Sequence, residues 1–205
     1  MTATPMFPLG TVVLPGQPLP LQVFEPRYQT LVRHCLEGPP EFGVTLIERG
    51  SEVGGDDVRS DVGTMARIVE ATELPDGRWL LMTLGTDRLR ITNWLPDDPH
   101  PWAEVERWPD PQASDAVTDE LSTTTSHVRR LLALATELGQ EAAPSTFELP
   151  DDPTMASYLL AALIPVGAFD RQRLLAAPTV SERLAAVRDF AAELTTALRQ
   201  SFENQ

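Results

Sequence analysis

The sequence predicts an α+β chain: a small, partly closed β-barrel with one inserted helix over residues 1–110, then an α-helical bundle over residues 111–205. Three observations point there. Short apolar runs broken by Pro and Gly fill the first half. From Val117 onward the apolar period lengthens to that of a helix. Between the two, Pro96, Pro99, Pro101, Pro109 and Pro111 cluster, and residues 109–116 read as a linker.

Residues 9–14 and 19–24 are apolar runs separated by Pro15 and Gly16, which reads as strand, turn, strand. Pro26 suits a first helical turn, because its fixed φ is already helical. Tyr28, Leu31, Val32, Cys35 and Leu36 recur at helical spacing, so residues 26–37 form one amphipathic helix that Gly38, Pro39 and Pro40 stop. Residues 42–47 are a further strand. Residues 49–63 are rich in Gly and Asp and read as a mobile hairpin loop. Strands at 64–74 and 78–85 are joined by Pro75-Asp76-Gly77, a strong hairpin signal.

Side chains alternate along a strand. In 88–94 this puts Leu89 and Ile91 on one face and Arg88, Arg90, Thr92 and Trp94 on the other. In 102–108 it puts Ala103 and Val105 on one face and Trp102, Glu104, Glu106 and Trp108 on the other. Three of the four Trp thus lie on charged faces. Either the second half of the chain covers them, or they form an aromatic surface for partners, for which Trp and Arg are favoured anchors.

In the second half, Val117, Leu121, Val128, Leu131, Leu132, Ala135 and Leu138 form one long stripe that Gly139 ends. Residues 155–164 are apolar nearly all round, the pattern of a buried helix, closed by Pro165 and Gly167. Asp170 is placed to cap a short helix through Ala177. Thr179 with Glu182 forms a capping box for the last helix, whose stripe is Leu184, Val187, Ala191, Leu194 and Leu198.

Composition narrows the chemistry. A chain of 205 residues buries about 70% of its extended surface, enough for a core without staples. All sixteen basic residues are Arg, against thirty acids, for a formal charge of −14. With no Lys there is no P-loop, no Ser–Lys dyad and no lysine Schiff base. Nucleic-acid binding is disfavoured; it would need several of Arg67, Arg78, Arg88 and Arg90 to make one positive patch. The single Cys35 excludes an internal disulfide and reads as a small core residue. No run is long enough to span a membrane and no leader precedes Gly10, so a cytoplasmic protein is expected. His34, His100 and His127 have no partners at metal-ligand spacing, and the pairs Asp56-Asp57, Asp97-Asp98 and Asp151-Asp152 read as solvated turns. No catalytic, cofactor or metal site is predicted.

The distinctive motif is Phe24-Glu25-Pro26-Arg27-Tyr28 at a strand-to-helix junction. Glu25 sits where the helix dipole favours an anion, and Arg27 is placed to pair with it or with a buried carbonyl. Phe24 and Tyr28 are expected to pack into the barrel mouth. The motif is either a corner holding helix to sheet or a groove in which Arg27 and Tyr28 meet a ligand.

These residues carry a resemblance. Met6-Phe7-Pro8-Leu9-Gly10, Val13-Leu14-Pro15-Gly16, Leu19-Pro20-Leu21 and Phe24 to Tyr28 resemble the opening of the Lon N-terminal, or substrate-binding, domain family. Similarity continues through Phe42-Gly43-Val44, Val62-Gly63-Thr64, Asp76-Gly77-Arg78, Gly85 to Arg90, Leu149 to Pro153, Leu159 to Pro165 and Gln172 to Leu184. The resemblance implies a PUA-like pseudo-barrel followed by a helical bundle. It also implies a domain that engages protein substrates ahead of ATPase and Ser–Lys protease domains. With the chain ending at Gln205 and lacking Lys, a stand-alone, non-enzymatic domain is expected. Its expected partner is an unfolded or partly folded polypeptide, alone or with a separate protease acting in trans. The alternatives are a scaffold for one folded partner, or binding of RNA or a small molecule as the PUA-like shape implies. Candidate peptide-binding residues are Phe24, Arg27, Tyr28, Trp94 and Trp102.

Overall fold

A computed structural model describes residues 2–49, 58–114 and 116–203. Two compact units divide it, Met1–Pro109 and Asp110–Gln205.

The first unit holds a six-stranded sheet and one helix. The strands are β1 (Thr2–Leu9), β2 (Pro18–Val23), β3 (Glu41–Arg49), β4 (Val58–Glu73), β5 (Trp79–Leu95) and β6 (Trp102–Arg107), with α1 (Pro26–Glu37) between β2 and β3. The strand order is β2-β5-β4-β3-β1-β6, and β6 also pairs with β5, so five strands pair in a ring while β2 flanks β5. Only β1 and β3 are parallel. The inward faces supply Phe7, Val23, Tyr28, Leu31, Val32, Phe42, Val44 and Leu81 to one cluster. Met6, Met65, Leu89, Ile91, Ala103 and Val105 form another.

Several boundaries differ from the sequence reading. The first strand ends at Leu9; residues 12–14 are buried but irregular, tied by Thr64 Oγ1 donating to Val13 O and Leu14 N–H donating to Gln17 Oε1. The expected loop at 49–63 is strand at Arg49 and from Val58 onward, with Thr45 Oγ1 donating to Ser60 O; residues 50–57, including Asp56 and Asp57, lie outside the described residues. The two strands expected at 78–85 and 88–94 are the continuous β5. The hairpin at Asp76-Gly77 is present. Gly77 has φ 83°, and Asp76 accepts from the Arg78 backbone N–H and guanidinium. The α1 stripe is as expected except that Leu36 points outward.

The second unit is helical: α2 (Val117–Glu137), α3 (Pro153–Leu163), α4 (Ala168–Leu175) and α5 (Val180–Glu203). Asp152 caps α3 through Met155 N–H, and Thr179 Oγ1 accepts from Glu182 N–H at the start of α5. The Glu182 carboxylate accepts from the Thr179 hydroxyl at 2.7 Å, closing the box on the side chain. Asp170 caps nothing. It is the third residue of α4, behind Gly167, and pairs with Arg173 instead. Both buried polar residues of α3 have partners within the unit. Ser157 Oγ accepts from Arg183 Nη1, and Tyr158 Oη donates to Asp110.

Candidate functional site

The junction motif is built by adjacent periodicities. Val23 ends β2 facing inward opposite Trp79, so the next residue, Phe24, is turned out and is 59% exposed. The expectation that Phe24 packs into the barrel is therefore wrong for that ring. Tyr28, one turn into α1, does pack inward. Its ring lies 4.0 Å from that of Phe7 and nearly parallel to it. Glu25 is the N-cap residue of α1 but makes no side-chain cap; its carboxylate accepts from Arg27 Nε at 3.1 Å. The Arg27 guanidinium lies 4.6 Å from the Tyr28 ring centroid. Phe24 and Tyr28, with Leu9, Leu21 and Gln22, border a small cavity of about 140 Å³.

The tryptophans depart from simple alternation. Ile91 pairs with Val105 and Asn93 with Glu104, so Thr92 is an extra residue in β5. That bulge returns Trp94 to the inward side, opposite Ala103, where it packs on the Leu89–Ile91 cluster. Its outer ring face carries the Arg59 guanidinium at 4.4 Å. Arg88, expected on the charged face of its strand, is buried. Its guanidinium lies 3.8 Å over the Trp108 ring, its Nε donates to Trp108 O, and Trp108 N–H donates to Arg88 O. Trp102 stacks on His100 at 4.9 Å and meets His34 edge-on at 5.1 Å. Burial holds the His100 imidazole below its ordinary pKa. The five sequence-proposed residues thus fall in three places, with Trp94 on β5 beneath Arg59. Phe24, Arg27 and Tyr28 sit at the start of α1. Trp102 touches the helix at His34, six residues and about 9 Å further along its axis than Tyr28.

A third surface escaped the sequence reading. In β5, Trp79, Leu81 and Thr83 point inward. Leu80, Met82 and Leu84 point outward and are 44%, 40% and 38% exposed. Register sets them in cross-strand rows: Gln22, Leu80 and Thr72; Pro20, Met82 and Glu70; Pro18, Leu84 and Arg67. A second bulge, between Ile68 and Glu70, turns Val69 out beside them. Leu80 and Met82, with Pro20, Gln22, Glu70 and Thr72, border a shallow groove of about 470 Å³. It shares Leu21 and Gln22 with the cavity beside Phe24. The signal was present in the run Trp-Leu-Leu-Met-Thr-Leu, which is apolar on both faces of an antiparallel strand; one such face normally reads polar.

No cluster of three metal-ligating side chains occurs among the described residues. Cys35 is buried, its Sγ 3.4 Å from Glu41 O. Of the four arginines named for an RNA patch, Arg88 is buried and Arg78 is paired with Asp76. No helix among the described residues is long and apolar enough to cross a membrane.

An open apolar face beside an exposed Phe, on a strand ring joined in sequence to a helical unit, describes a binding domain. Residues 3–193 match the substrate-binding domain of ATP-dependent protease La (Lon), and the chain belongs to that family. The matched region is neither the ATPase nor the protease domain of Lon. The chain is 27% identical over 184 residues to Lon protease 2 of Herpetosiphon aurantiacus, covering 88% of this chain and 22% of that protein. It is 28% identical over 196 residues to the Lon protease of Trichlorobacter lovleyi, covering 92% and 23%. It thus spans about a fifth of the length of these relatives. Among solved structures, it is similar to a Lon N-terminal domain protein from Xanthomonas campestris, with 30% identity, a TM-score of 0.66, and coverage of 90% of this chain and 96% of that one. The N-terminal domain of a Mycobacterium avium complex Lon protease shares the fold at 16% identity and a TM-score of 0.67, covering 94% and 99%.

Proposed function

We propose that this protein is a non-catalytic recognition module that holds unfolded or partly folded polypeptide against the outer face of β2, β5 and β4. The observation that carries the reading is the row Leu80, Met82 and Leu84, exposed beside Pro18 and Pro20 on a strand whose other face is core. A contiguous exposed apolar patch on a soluble fold marks an interaction site. Pro18 and Pro20 blunt the β2 edge, which leaves the face rather than the edge for binding. Membership of a family defined by substrate binding supports the same reading.

In this reading Phe24 is the exposed anchor at one end of the groove, with Arg27 and Tyr28 fixing the backbone behind it. Trp94 and Trp102, both partly exposed, offer secondary contacts. The ring of five strands is the PUA-like pseudo-barrel, the four later helices are a bundle, and the division falls near residue 110. The module acts in the cytoplasm, either alone or delivering its cargo to a separate protease.

The test is fluorescence anisotropy of a labelled, permanently unfolded protein titrated with this one, with its folded form as control. Saturable binding of the unfolded form alone, weakened at least tenfold by Leu80→Ser with Met82→Ser, is the expected result. No binding up to roughly 100 µM, about −5.5 kcal/mol, overturns it. Binding of the folded form alone makes the protein a scaffold instead.

A further inference from the structure

The helical unit contains a cavity of about 400 Å³ that the proposed polypeptide surface does not use. Its volume lies in the range of small-molecule pockets. Leu131 and Ala135 of α2, Ile164 at the end of α3, and Leu194 and Leu198 of α5 supply apolar walls. One cation enters this lining, Arg171 of α4. Its Nε is sequestered from solvent and has no hydrogen-bond partner. The neighbouring Asp170 is engaged by Arg173 instead.

A buried N–H without an acceptor is destabilising, and more so on a charged group. Burial alone pulls the Arg171 pKa below its ordinary value, with no compensating charge, yet a guanidinium stays protonated at neutral pH. The guanidinium therefore sits charged and only partly buried at the edge of an apolar hollow, with no anion paired to it among the described residues. A cationic ligand would be repelled. A neutral apolar ligand would fill the walls and leave the guanidinium without a counter-charge. A phosphate dianion would bring a second charge with no second cation to meet it. A single carboxylate satisfies the guanidinium, and an apolar tail satisfies the walls.

We propose that this cavity binds an apolar monocarboxylate, with the carboxylate on Arg171 and the tail between α2, α3 and α5. Two sources share that chemistry: a free medium-chain carboxylic acid, and the C-terminal carboxylate of a chain ending in an apolar residue. Glu141 at the mouth is exposed, so solvent screens its repulsion.

The experiment is an NMR titration of the full chain with octanoate and with 1-octanol. In parallel it is titrated with a hexapeptide ending in Leu, as the free acid and as the amide. The expected result is saturable shifts from octanoate or the free-acid peptide, with the matched alcohol or amide at least tenfold weaker. Whichever carboxylate binds identifies the source. Arg171→Met should weaken the carboxylate at least tenfold and leave the alcohol unchanged, while Ala162→Phe should fill the hollow and abolish both. Equal binding of acid and neutral partner, full binding by Arg171→Met, or no binding of either carboxylate overturns the proposal. The acid-to-neutral comparison uses the unaltered protein, so it does not depend on a variant folding. The unfolded-protein titration reads a different surface, so either proposal can fail alone.

Discussion

Arg183 on α5 donates to Asp110 at 2.5 Å, and both side chains are removed from solvent. The same guanidinium donates to Leu174 O, Ser157 Oγ and Tyr158 Oη, and lies 3.7 Å over the Tyr158 ring. Asp110 also accepts from the Tyr158 hydroxyl at 2.7 Å. A residue that reads in sequence as part of a Pro-rich linker is thus the buried counter-ion of the helical unit.

Removing one member of a buried pair strands the other. Asp110→Ala is therefore expected to cost the helical unit about 3–5 kcal/mol. Asp110→Asn, which keeps an acceptor for Tyr158, should cost less. Urea unfolding followed by circular dichroism at 222 nm measures both. The pair Asp110→Leu with Arg183→Met should recover much of the loss, because no charge then remains buried. A double variant no more stable than Asp110→Ala would show that the network's geometry, rather than the stranded charge, sets the cost.

Close approach makes a second test in the strand unit. A Cβ at Gly63 would lie 2.3 Å from Val44 O, a backbone atom that cannot rotate away. Gly63→Ala must spread β3 from β4, at an expected cost of about 1–3 kcal/mol. Gly38 has open surroundings, the nearest atom 3.6 Å from the same built position. Gly38→Ala should stay within about 0.5 kcal/mol. Thermal melts of both variants beside the parent separate crowding from the general effect of losing a glycine.

Local chemistry was the legible part of this fold. Pro26 at the helix start, Asp76-Gly77 at the hairpin and Thr179 at a helix cap all act within four residues of themselves, and their sequence signals correspond to what is found; Asp152, read as part of a solvated turn, caps α3 instead. What failed depended on distant partners. The Thr92 bulge exists because β5 must pair with β6 in two registers, and no neighbour of Trp94 announces it. Alternation put Arg88 on a charged face but could not show the Trp108 ring that returns to cover it. Joining residues 79–95 into one strand needed β2 and β6 to pair with successive halves of it. The candidate site divided in the same way. Phe24, Arg27 and Tyr28 were singled out from a local motif. The outward row on β5 becomes visible only once β2 and β4 show which side is core.

Cys35 should be chemically silent in the folded state. Burial first, and the Glu41 carboxylate second, push its thiol up to about 12 from 9.0. At pH 8 the thiol is then neutral, and the thiolate is the reactive form. Ellman's reagent should label less than a tenth as fast in the native protein as in 6 M guanidinium, where one thiol per chain reacts. Between pH 9 and 12 the unfolded chain has released this proton and the folded chain has not. Stability therefore falls as pH rises through that window, and the fall should be smaller in Cys35→Ala.

His100 titrates with the opposite sign. It is buried against Trp102, and burial, the largest influence, lowers its pKa beneath 6.5; the nearby His34 acts in the same direction, and the Pro101 carbonyl and Asp97 oppose both without reversing the shift. Below pH 6.5 the unfolded chain binds a proton here that the folded chain resists, so stability falls as pH drops toward the folded value. The His100 Cε1 proton resonance should therefore titrate with a midpoint below 6.5. His100→Gln, which carries no titrating group, should lose less stability than the parent between pH 7 and pH 5, whatever its stability at pH 7. A His100 midpoint at or above 6.5 would mean that the ring is solvated and that its stack on Trp102 opens in solution.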